Sequence, residues 1–78
     1  MAKEVSTTFT VGDVVTLKLN PEFRGVVHSF YDANRFPTKS QSIDGLLNPN
    51  IWVTLSILNS DFKTEYKTVP ILHLKHKE

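Results

Sequence analysis

Three histidines are the first residues whose chemistry needs a reading. His73 and His76 lie three apart, and His28 is distant in sequence. On a strand, positions three apart point to opposite faces, so the pair converges on one metal only if it sits on a helical turn. The chain has no cysteine, and no acidic residue stands at a ligand spacing from either histidine. The expectation is a polar, solvated C-terminus, with the closing KHKE partly frayed and no metal site. Nucleophilic chemistry has no better start, because no serine sits in a G-x-S-x-G turn. Asp13, Asp32, Asp44 and Asp61 all fall where turns are expected, and there aspartate caps backbone amides. Glu22 and Glu65 lack a carboxylate partner, and three isolated glycines build no phosphate-cradling loop. A domain this small also has little interior for a substrate cavity. These residues point to a non-catalytic protein without a cofactor.

A binding surface is the stronger candidate. In IWVTLSIL, Ile51, Val53, Leu55 and Ile57 share one phase while Trp52, Thr54 and Ser56 share the other. Trp52 therefore faces away from the apolar stripe. It is either exposed or covered by a neighbouring loop, under Phe36 or Leu46. Tyr31, Phe36 and Tyr66 are the other candidates for an aromatic patch, with the tyrosines equally suited to a rim position with a wet hydroxyl. Tryptophan, tyrosine and arginine dominate binding hot spots, because they give large contact area at low entropic cost. A recognition surface is expected from Trp52, Tyr31, Phe36 and Arg35. A second set, Arg24, Arg35 and Lys39, flanks the second expected strand and offers phosphate contacts if it clusters beside Tyr31 or Phe36. Lys63 and Lys67 alternate with Glu65, which suits a solvated outer face or a guarded edge strand.

The elements that must position these residues read as strands. VGDVVTLKL has apolar side chains at Val11, Val15, Leu17 and Leu19 in one phase, so a strand is expected over residues 10–19. Asn20-Pro21 ends it, and NPEFRG reads as a loop. Gly25 opens a second strand, GVVHSFY, with apolar groups on both faces. Such a run suits a bent strand that switches its buried face part-way. Residues 32–50, rich in Asp, Asn, Ser, Pro and Gly, form a connection long enough to suggest function. Within it, Ile43, Leu46 or Leu47 pins the loop to the core. Ile51–Leu58 and Phe62–Val69 form a hairpin across Asn59-Ser60-Asp61. Pro70 stops it, and ILHLKHKE makes one tight helical turn, with Ile71 and Leu74 inward, before a short last strand.

VGDVVTLK, RGVV and TVPILHLK together resemble the SH3-like barrel group, and within it KOW- and Tudor-type modules. The resemblance covers about residues 9–75, apart from the long loop. It implies an all-β fold: one small five-stranded SH3-like barrel with a long loop between the second and third strands and a helical turn before the last. Such a fold hosts many unrelated activities.

The 78 residues give room for one domain, here 9–78, preceded at 1–8 by a flexible tail or a weak edge segment. Without disulfides, stability must come from packing or from a partner. Nine basic and eight acidic residues leave a net charge of +1, far from the strongly basic footprint of an avid nucleic-acid binder. No run approaches a membrane span, and MAKEVSTTF does not resemble a signal peptide, so a cytoplasmic location is expected. The expected function is protein–protein recognition, as an adaptor, accessory or inhibitor subunit of a larger machine, by a monomer or weak homo-oligomer. The alternative is a KOW-like module that binds RNA or DNA in transcription or translation. A third reading is a structural subunit that adds a strand at an open sheet edge.

Overall fold

The computed structural model describes residues 7–77. They form an all-β domain of seven strands: β1 (Thr8–Thr10), β2 (Val14–Leu17), β3 (Asn20–Tyr31), β4 (Ser42–Asp44), β5 (Trp52–Leu58), β6 (Thr64–Pro70) and β7 (Leu74–His76). One 3-10 turn, Ile71–His73, joins β6 to β7. The strands make two antiparallel sheets, a five-stranded one in the order β6-β5-β3-β2-β7 and a two-stranded ribbon of β1 and β4. No ladder among the described residues joins β6 to β7 or one sheet to the other, so hydrogen bonding does not close a barrel.

Seven strands replace the expected five for two local reasons. The run expected as one strand over 10–19 is broken at Gly12, whose φ of 100° no β-branched neighbour tolerates. The Asp13 carboxylate accepts the Thr10 amide at 2.9 Å and seals this turn. Only Val15 of the four expected inward residues is fully buried, while Leu19 is 94% exposed in the β2–β3 turn. The second reason lies in the long connection. Ser42–Asp44 pairs with Thr8–Thr10, so Phe9 and Ile43 enter the core together. Of the three residues expected to pin the loop, Ile43 does so, while Leu46 and Leu47 stay exposed. The tail expected over 1–8 overlaps this ribbon: Thr7 accepts the Gly45 amide, and β1 begins at Thr8. Residues 1–6 of that reading lie outside the described residues.

Asn20-Pro21 does end the preceding strand, but it opens β3 instead of a loop. Proline is tolerated there because it occupies the start of a strand, where no ladder bond needs its amide. Gly25 is therefore interior to β3. A Cβ built on it meets the Leu55 Cβ and the Phe23 ring at 3.2 Å each, so any side chain here would press Leu55 and Phe23 back by a few tenths of an ångström. Further along, β3 shifts register against β5 between Val27 and Ser29. This bulge lets Val27 and Phe30, three residues apart, both point inward with 1% exposure. The face switch read from the sequence is this bulge.

The core joins Phe9, Val15, Val27, Phe30, Ile43, Val53, Leu55, Val69, Ile71 and Leu74. Each large member contributes about 1.5–3 kcal/mol by burial. Ile71 and Leu74 anchor the 3-10 turn and β7 as the sequence indicated. The C-terminus is not frayed through His76: its ring stacks on Phe9 with centroids 4.5 Å apart, and Nε2–H donates to the Thr8 carbonyl at 2.7 Å. No helix of the described residues is long and apolar enough to cross a membrane.

Candidate binding surface

The site lies on the outer face of β3, β5 and β6, and the ladder sets its layout. Tyr31, Trp52 and Pro70 form one cross-strand row, and Ser29, Thr54 and Thr68 form the next. Ser56 and Tyr66 follow on the same face. Thr54 and Thr68 share a hydroxyl–hydroxyl hydrogen bond of 2.9 Å, which leaves Thr54 buried on an otherwise open face. His28, at the β3 bulge, meets Tyr66 edge-to-face at 5.1 Å. Of this face, His28, Tyr31, Thr54, Tyr66 and Thr68, together with Arg35, line an open cleft of about 440 Å³.

Arg35 reaches this face through a five-residue turn, Asp32-Ala33-Asn34-Arg35-Phe36. Asp32 sets it: its carboxylate Oδ1 accepts the amides of Asn34 and Phe36, each at 2.9 Å. Its carbonyl accepts the Arg35 amide, and its own amide donates to the Phe36 carbonyl. Closing the turn puts Arg35 at φ 67°, in the left-handed region that costs a side chain on the order of 1 kcal/mol. The chain then runs back along β3, with Pro37 bridged to Tyr31 and the Thr38 amide on the Phe30 carbonyl. This reversal lays the Arg35 guanidinium over the Trp52 ring, with Cζ 3.8 Å from the ring centroid. An exposed cation–π pair contributes about 0.5–1 kcal/mol.

Trp52 is thus half-buried with Arg35 over its ring, while Phe36 and Leu46, the covers expected from the sequence, are largely exposed. Phe36 is 65% exposed on the same turn. Tyr31, Trp52, Arg35 and Phe36, the recognition set read from the sequence, come together at one end of β3. The basic set does not converge in the same way. Arg24 is an exposed β3 residue seven positions before Tyr31, on the order of 20 Å away along the strand. Lys39 is exposed one residue beyond the Thr38–Phe30 bond.

The carboxylates of this region face backbone. Asp32 is committed to its turn, and no acidic residue lines the cleft. Asp44 caps the turn after β4. A hydrogen bond from the Thr7 hydroxyl, then one from the Leu46 amide, hold its carboxyl below the usual value. Asp61 departs from the expected pattern, because Asn59 does the capping in its turn. No group of three or more metal-ligating side chains occurs among the described residues.

His28, Thr54 and Thr68 join the lining beyond the residues expected from the sequence. Thr54 shares the phase of Trp52, and that signal was available. His28 enters only through the bulge, which no local pattern locates. No protein-family model, curated protein or solved structure matches this chain at a significant level.

Proposed function

We propose that this chain is a non-catalytic recognition module that binds another protein through Trp52, Tyr31, Arg35 and Phe36. The observation that carries the reading is the Arg35 guanidinium held over Trp52 beside an acid-free cleft. An aromatic with a cation fixed on it offers apolar contact and oriented donors in one place, the composition of a binding hot spot. Its architecture is read as an open variant of the SH3-like barrel, with the 3-10 turn before the last strand as the shared feature. An accessory or inhibitory subunit of a larger assembly, working in the cytoplasm, is the setting this chemistry suits.

The test is the affinity for a protein recovered with the tagged domain from nuclease-treated host lysate. Trp52→Ala and Phe36→Ala should each weaken it by about tenfold or more with the fold retained. Unchanged affinity in both rejects this surface. Binding that vanishes with nuclease and falls steeply with salt replaces the reading with an RNA or DNA partner.

A further inference from the structure

We infer that the cleft beside Trp52 takes a carboxylate side chain from an acidic segment of the partner protein, held on the Arg35 guanidinium. The inference rests on the recognition reading and adds the chemistry of the bound group. Six residues line the cleft: His28, Tyr31, Arg35, Thr54, Tyr66 and Thr68. None is acidic, and one carries a permanent positive charge. The others present hydroxyl groups and one imidazole. The nearest carboxylate in sequence, on Asp32, already accepts two backbone amides. The Arg35 guanidinium makes its ring contact with Trp52 and no hydrogen bond or ion pair among the described residues. Its planar fork of donors is therefore unspent, and a fork of that geometry matches a carboxylate bidentately.

The count of charges selects the group. One fixed cation balances one negative charge. A phosphate near neutral pH carries between one and two, and sites for it commonly gather several cations or a row of backbone amides. Here Arg24 stands seven residues before Tyr31 on β3, and the amides of the 32–36 turn are directed at the Asp32 carboxylate and at carbonyls within the turn. The cleft volume of about 440 Å³ accommodates a side chain and the backbone that carries it. The Tyr31 and Tyr66 rings supply flanking contact area, and the Thr68 hydroxyl lies beside them as a further polar group.

The experiment needs no partner. The isotope-labelled domain is titrated with a terminally blocked peptide of alternating glutamate and alanine, followed by NMR. Saturable shifts are expected at the Arg35 side-chain N–H, the Trp52 indole N–H and the Tyr66 amide. Arg35→Gln should weaken binding about tenfold, while Lys63→Gln leaves it unchanged. The glutamine version of the peptide should bind no better than Arg35→Gln binds the acidic one. Three results overturn the inference: no saturable shift, equal shifts in Arg35→Gln, or tighter binding of inorganic phosphate or a short oligouridylate. If the titration fails while partner affinity still depends on Trp52 and Phe36, the surface stands and the acidic occupant falls. If the titration succeeds while partner affinity ignores those residues, the reverse holds.

Discussion

Two turns of this molecule have the same backbone and different uses. Residues 32–36 and 59–63 each begin with an Asp or Asn whose side-chain oxygen accepts two amides, two and four residues on. In each, the fourth residue donates its amide to the first residue's carbonyl and adopts a positive φ: 67° at Arg35 and 60° at Phe62. Glycine or asparagine is the economical choice at such a position. Neither turn uses it. At Arg35 the strain places a guanidinium on Trp52, while Phe62 is 85% exposed. A strained position that gains a specific contact points to function; one that gains none is a local cost.

Removing the cap should have the largest effect. Asp32→Ala and Asn59→Ala each strand two amides, and each should lower stability by about 1–2 kcal/mol in chemical denaturation. They should part on binding. Asp32→Ala frees Arg35 to leave Trp52 and weakens partner affinity, whereas Asn59→Ala does not. Equal binding losses would erase the distinction between the turns.

Relieving the strain comes next. Phe62→Gly should raise stability by about 0.5–1 kcal/mol, since the left-handed cost disappears and the solvated ring takes little packing with it. Arg35→Gly should lie within about 0.5 kcal/mol of the parent, because removing the cation–π pair offsets the relief. A clear gain in both would mean that the Trp52 contact contributes nothing in solution.

The smallest effect belongs to the third cap, Asp44, which sets a scale for the other two. Its carboxyl is lowered from 3.8 by Thr7 and the following amides. A group lowered in the folded state stabilises above its unfolded value and loses that contribution as the pH falls through the folded one. The stability difference between the parent and Asp44→Asn should therefore be present at neutral pH, begin to fall near pH 4 and vanish only below the lowered folded-state value. Urea titrations at several pH values read it directly, and a difference that grows on acidification contradicts the assignment.

The legible part of the fold was that dictated by local pattern. The alternation in β5, the Asn59 hairpin and the 3-10 turn with Ile71 and Leu74 inward follow from side-chain period and turn chemistry. What escaped depends on distant pairing. β4 is a strand because β1 is there to receive it, and nothing in SID announces that. The extension of β3 through Pro21 depends on its place at a strand start. The site divides in the same way. The outward phase of Trp52 was visible in the sequence, but its partner was not. That depended on a left-handed arginine, which residue preference argues against.

Partner affinity of Arg35→Gly measured beside Phe62→Gly tests the account most directly, because both exchanges are made at the same backbone position of equivalent turns and neither should harm the fold. Arg35→Gly should lose about tenfold or more, and Phe62→Gly should change within about twofold. Equal affinities, or a loss confined to Phe62→Gly, would contradict it and move the recognition surface to the other end of the sheet.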